Sequence, residues 1–192
     1  LERLALAALA DRKPATLHWG VGSVTFAKNR RNANGPVDHD LPLLVARDPR
    51  SGKPRVVWVN YACHCVTLSN NKISGDWAGL AMESLERDWP DATALVSIGC
   101  GADQNPASGV TGDRVEAAAM QGDEIAVEVR RLLSGYLAPV TGKINAHRQA
   151  IELPLADLPT RAEWETKAQR TDAVGYHARV QLARLDRGEA LT

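Results

Sequence analysis

Two short runs constrain this chain of 192 residues more than anything else in it. Arg55 to Tyr61 (Arg-Val-Val-Trp-Val-Asn-Tyr) and Thr93 to Ile98 are apolar at consecutive positions, and small or polar residues follow each at once. A strand with one wet face alternates, whereas an unbroken apolar run asks for cover on both faces. The two runs therefore predict central strands of a sheet overlaid by helices. Asp76 to about Arg87 supplies one helix, capped by Asp76, with Leu80, Ala81 and Leu85 on one side. Asp113 to Leu133 supplies a second, in which Val115, Ala118, Ala119, Gly122, Ile125, Ala126, Val129, Leu132 and Leu133 recur at three- and four-residue steps. Gly135 and Pro139 close it. The expected fold class is α/β, a layered domain with a mixed β-sheet flanked by helices.

Leu1, Leu4, Leu6, Ala8 and Leu9 read as the tail of an amphipathic helix ended by Pro14. Residues 17 to 26 suit a strand or hairpin, 28 to 40 a loop, 43 to 46 a short strand, and 48 to 52 a turn. Lys143 to Leu155 alternates near its end (Ile151, Leu153, Leu155) and predicts a longer, partly exposed strand. Helices are expected over about 160 to 170 and 174 to 187. The expected organisation is one domain over 1–192, with a core at about 15–155 and a helical extension at 156–192. Leu1 falls inside a helical pattern and Thr192 follows Gly188 without a stop signal, so the pattern is that of an incomplete domain.

Composition narrows the function classes. There are 23 Lys plus Arg and 23 Asp plus Glu, leaving no net charge, which argues against electrostatic capture of nucleic acid. Hydrophobic residues at 44% and charged residues at 24% are globular proportions, not those of a disordered chain. The longest apolar runs, such as Val56 to Val59, are far short of a membrane span, so no transmembrane segment is expected. No signal segment opens the sequence.

The chemistry concentrates where the two apolar strands end. Asn60-Tyr61-Ala62-Cys63-His64-Cys65 follows the first, and Gly99-Cys100-Gly101-Ala102-Asp103-Gln104-Asn105-Pro106 follows the second. Ligands of α/β sheets collect outside the carboxyl ends of strands. Gly99 and Gly101 permit a tight turn and close approach, and Pro106 restricts Asn105 to extended backbone. His64 is the best acid–base or metal candidate of the five histidines, since a neutral imidazole binds divalent metal. Its competing reading is a buried ring bonded to a backbone carbonyl. Cys63, Cys65 and Cys100 with His64 form a conceivable Cys3His zinc set. Against it, one residue separates Cys63 from Cys65 where zinc pairs usually have two to four, and small buried hydrophobes fit these thiols better. Asp103 and Asn105 read as turn residues, and Arg30 with Arg31 as a solvated pair, when each is taken alone. No P-loop, Rossmann glycine run, His-Glu-x-x-His or Gly-x-Ser-x-Gly elbow is present.

The order of these segments, with Ile73-Ser74-Gly75-Asp76-Trp77-Ala78-Gly79 between them, resembles the neutral/alkaline non-lysosomal ceramidase family. The likeness is to the N-terminal catalytic domain of divergent bacterial members. Asn29-Arg30 ahead of Asp38-His39-Asp40, and Val140 to His147, extend it over about residues 15 to 155. The resemblance implies a zinc-dependent amidohydrolase that cleaves the N-acyl bond of ceramide to a sphingoid base and a fatty acid, its substrate a small-molecule lipid or amide. It implies His64 as a zinc ligand, with Arg30 near the substrate amide and Asp103 and Asn105 in the catalytic turn. Where the family carries its serine nucleophile this chain has Asn105, and an amide cannot be activated as a hydroxyl can. The family's other zinc ligands have no counterpart here and are expected outside the 192 residues. A secreted or periplasmic location and contact with a membrane surface are implied by the same resemblance. The alternative is a non-catalytic protein of this fold that binds a lipid or glycan.

Overall fold

A computed structural model describes residues 1–154 and 156–190. The chain separates into two compact units, Leu1–Lys143 and Ile144–Thr192; the sequence pattern runs the core on to about residue 155. In the first unit the elements are α1 (Glu2–Ala10), β1 (Thr16–Ser23), β2 (Ala27–Asn29), β3 (Asp40–Arg47), β4 (Pro54–Tyr61), α2 (Asp76–Asp88), β5 (Thr93–Ile98), β6 (Gln104–Pro106), α3 (Val115–Ser134) and β7 (Ala138–Val140). Five strands form one mixed sheet in the order β5-β4-β3-β1-β7, and β2 pairs with β6 in a two-stranded sheet. The fold class is α/β. β4 and β5 are parallel and α2 makes the crossover between them, as parallel neighbours require. The other pairs in the five-stranded sheet are antiparallel.

The core lies on one face of that sheet. Leu41, Leu43 and Val45 of β3 and Val57, Val59 and Tyr61 of β4 point into it, all at most 1% exposed, at the two-residue period of a strand. Ala81 and Leu85 of α2 and Ile125, Ala126 and Val129 of α3 cover them. The two helices meet at Gly122, where a Cβ would stand 2.8 Å from the Ala81 nitrogen. Glu128 and Glu124 reach from α3 to accept the backbone N–H groups of Ser23 (2.9 Å) and Thr25 (2.6 Å).

Helices cover one face of β4 within this unit, not the two that its apolar run predicts. On the opposite face the register Trp19↔Leu44 and Leu44↔Trp58 lines three apolar side chains across β1, β3 and β4. Trp19 and Trp58 are 42% and 44% exposed, and they wall a groove of about 250 Å³ with Pro42 and Leu44. Other departures are local. The 28–40 loop begins inside β2 and ends where β3 starts. Asp76 does not cap α2: Gly75 holds the N-cap position, and Asp76 is the first helical residue, with φ +53°. Its buried carboxylate instead accepts N–H groups from Leu68 (2.8 Å) and Trp77 (2.7 Å). The strand expected over Lys143 to Leu155 does not form over 143–154, and Leu155 lies outside the described residues. The short edge strand β7 takes its place a few residues earlier, paired with β1.

The second unit contains α4 (Arg161–Ala168) and α5 (Ala173–Asp186). Thr160 and Glu163 form a reciprocal capping box at the start of α4, and Asp172 caps α5 through the Gly175 N–H. Trp164, 7% exposed, packs edge-on against the His177 ring, centroids 5.6 Å apart.

Candidate functional site

Because β4 and β5 are parallel neighbours in register, Tyr61 beside Ile98, their following segments leave the sheet at the same edge. Tyr61 anchors this edge. Its hydroxyl donates to the Val24 carbonyl (3.1 Å) and accepts from the Ala27 N–H (3.2 Å), and its ring packs against Phe26 and Trp77. The Tyr61 carbonyl accepts from both Cys63 N–H and Gly99 N–H at 3.0 Å, which starts both loops from one point. Gly101 then passes so near the other loop that a Cβ would lie 2.8 Å from the Ala62 carbonyl carbon and the Cys63 nitrogen. No other residue fits there without moving backbone.

The second loop runs into β6, which pairs with β2 so that Lys28 faces Asn105 and Asn29 faces Gln104. The Gln104 carbonyl accepts the His64 N–H at 2.9 Å, while Trp77 Nε1 of α2 donates to the His64 carbonyl at 3.1 Å. His64 is thus fixed by its backbone from two sides. Arg30 donates its N–H to the Asp103 carbonyl (2.7 Å), and its Nε and Nη2 to the Ala102 carbonyl (3.1 and 2.9 Å). Of the residues singled out in the sequence, Arg30, His64, Asp103 and Asn105 are therefore brought to one junction between β2, β6 and the loop after β4.

Two side-chain atoms at this junction, His64 Nε2 and Asn105 Oδ1, are out of contact with solvent and have no hydrogen-bond partner. Isolating a polar atom in this way costs about 1–3 kcal/mol, and His18 Nδ1, His39 Nδ1 and Trp164 Nε1 are isolated likewise. The alternative reading of His64, a ring bonded to a backbone carbonyl, is not what the structure shows for Nε2. Asn29 joins the cluster. Nothing marked it in the sequence beyond its place before Arg30, because its donor end acts through contacts 7 and 74 residues away.

The thiols do not form a metal set. Among the described residues no three His, Cys, Asp or Glu side chains gather where they could hold a metal ion, and all three cysteines are free. Burial pushes the Cys63 thiol up to about 12 and the Cys65 thiol up to about 11. Toward a zinc ion His64 offers one donor, Nε2, which is shielded from solvent and has no hydrogen-bond partner. A separate cavity of about 390 Å³ lies at the start of α2, with Asp76, Glu83, Asp113 and Lys72 in its wall; none of the four junction residues borders it. Compared with models of known protein families and with curated proteins, the chain matches none.

Proposed function

We propose that the chain forms part of a zinc-dependent hydrolase of amide bonds, of the ceramidase type. The observation that carries this reading is the convergence of Arg30, His64, Asp103 and Asn105, with the His64 Nε2 left unpaired. Zinc held at that nitrogen draws its further ligands from beyond the set that the described residues gather. When bound, it supplies Lewis acidity and a water whose pKa is lowered toward about 7. The residues of this chain do the rest. Arg30, with two of its five N–H groups spent on Ala102, keeps three for the acyl oxygen or a carboxylate product. Asn105 has no hydroxyl, so the nucleophile is water, and its amide donates a hydrogen bond to the developing oxyanion, a role worth about 3 kcal/mol in other hydrolases. Asp103 holds a carboxylate beside Asn105 to orient that water. The substrate class is an N-acyl amide of a lipid or a smaller amide.

The test replaces His64→Ala in the natural full-length protein and measures bound zinc and amide hydrolysis together. Both fall if the reading is right; unchanged zinc content ends the metal assignment. The absence of a hydroxyl at Asn105 favours a second reading, a binding-only descendant that takes a lipid or glycan. Natural activity lost to a chelator refutes that second reading.

A further inference from the structure

We propose that Asn29 is the positioning residue of this junction: its side-chain amide holds the Asp103 carboxylate and, through the 102–103 backbone, the Arg30 guanidinium. Asn29 is 9% exposed, and both ends of its side chain are saturated. Nδ2 donates to Asp103 Oδ2 at 2.8 Å and to the Pro36 carbonyl at 3.1 Å. Oδ1 accepts the N–H groups of Arg31 at 3.0 Å and Asn32 at 2.9 Å. An amide has two donor hydrogens and two acceptor sites, so no capacity is left for substrate, and the residue acts through its neighbours. Gly35 closes over it, since a Cβ there would lie 2.5 Å from Nδ2.

The two ends do different work. The acceptor end shapes the loop after β2. The donor end crosses to the other loop and fixes one carboxylate oxygen, Asp103 Oδ2. Because Ala102 and Asp103 also receive Arg30 through three hydrogen bonds, tilting Asp103 moves the guanidinium. Misplacement by about 1 Å is enough for a hundredfold loss of rate.

This inference rests on the amidase reading for its functional half, and the test separates the two. Asn29→Asp keeps the acceptor end and the shape, deletes both donors, and sets a second carboxylate against Asp103. In the 192-residue chain, the Arg30 Nε–H resonance, sharp in the wild type because Ala102 protects it, is expected to broaden into exchange. The double variant Asn29→Asp/Asp103→Asn reverses the hydrogen bond between the two residues, now donated by residue 103, and is expected to restore that resonance and part of the melting temperature, the bond to the Pro36 carbonyl staying lost. An Arg30 resonance unmoved by Asn29→Asp, or unrestored by the swap, overturns the proposal whatever the activity. In the active full-length protein, Asn29→Asp should lower kcat about a hundredfold with KM within about threefold. The swap should recover only part of the stability and none of kcat, because the carboxylate at position 103 is gone; a swap as active as the wild type also overturns the proposal. A wild-type protein that hydrolyses no amide removes the function alone, and the resonance still decides the positioning.

Discussion

Gly122 in α3 and Gly79 in α2 are interior helix glycines whose replacement by alanine should move stability in opposite directions. Alanine is favoured over glycine within a helix by about 1 kcal/mol, so propensity alone predicts that both substitutions stabilise. At Gly79 no atom lies within 4 Å of the added Cβ, and Gly79→Ala should realise about 0.5–1 kcal/mol. At Gly122 the Cβ would meet the Ala81 nitrogen at 2.8 Å, the Trp77 carbonyl oxygen at 3.0 Å and the Leu80 carbonyl carbon at 3.1 Å. All three are backbone atoms of α2, so no rotamer change relieves the contact and the helices must part by roughly half an ångström. Gaps of that size forfeit a quarter or more of the dispersion well for each lining atom, and overpacking costs about 1–3 kcal/mol. With three simultaneous backbone contacts the upper half of that range applies. Less the gain in propensity, Gly122→Ala should be destabilising by about 1–2 kcal/mol. Urea unfolding followed by circular dichroism measures both, read as the shift in midpoint at constant slope. A Gly122→Ala protein as stable as the wild type would refute the claim that α2 and α3 meet backbone to backbone.

Other expectations follow from the same contacts. Titration with a disulfide reagent at pH 8 should find one fast thiol, the exposed Cys100, and two that react only on unfolding, Cys63 and Cys65, because burial holds both in the thiol form; three fast thiols would contradict the packing. The Arg131 guanidinium first, with the Ser23 N–H, holds the Glu128 carboxyl below its usual value of 4.5 against a smaller opposing effect of burial. A depressed carboxyl contributes stability that is present above pH 4.5 and lost as pH falls through the lower folded value. Glu128→Gln should therefore differ most from wild type at pH 7 and least at pH 3, and a gap that grows on acidification would show the sign to be wrong. Asn105→Ala is expected to stabilise, by up to about 1–3 kcal/mol, since it removes a buried acceptor that has no partner; a clear loss in urea unfolding would make Asn105 structural.

How far the fold could be read from the residues depended on the range of the contacts involved. α2, α3, β4 and β5 were legible because their patterns are local: period 3.6 in Asp113 to Leu133, unbroken apolar runs in the two strands. β2 and β6 carried no such signal. They are three residues each, include Asn29, Asn105 and Pro106, and exist because two distant loops meet. Ile151 and Leu153 alternate as a strand would, yet alternation creates no strand without a neighbour to receive its N–H and carbonyl groups. Asp76 was misread for a related reason. A cap motif and a carboxylate bonded to the Leu68 N–H look alike in sequence, and only the fold brings Leu68 within reach. At the junction, the residue types of Arg30, His64, Asp103 and Asn105 were visible, whereas Asn29, which ties them together, was chemically ordinary until its four partners were known.

The junction is built from main chain. Tyr61, Ala102, Asp103 and Gln104 each contribute a carbonyl, and Gly99 and Gly101 the close passage of the loops, so the fold depends on the small residues and on the backbone rather than on the side chains that would do chemistry. Gly101 and Asn105 are accordingly held to very different degrees. At position 101 an added carbon would strike the backbone of Ala62 and Cys63, and at position 99 it would strike the Asn60 side-chain oxygen. At position 105 the side chain makes no hydrogen bond, its Oδ1 is buried without a partner, and the residue pairs with Lys28 across the two strands, so the fold does not require an asparagine there. Substitution at this position is expected at small structural cost, unlike any at Gly101.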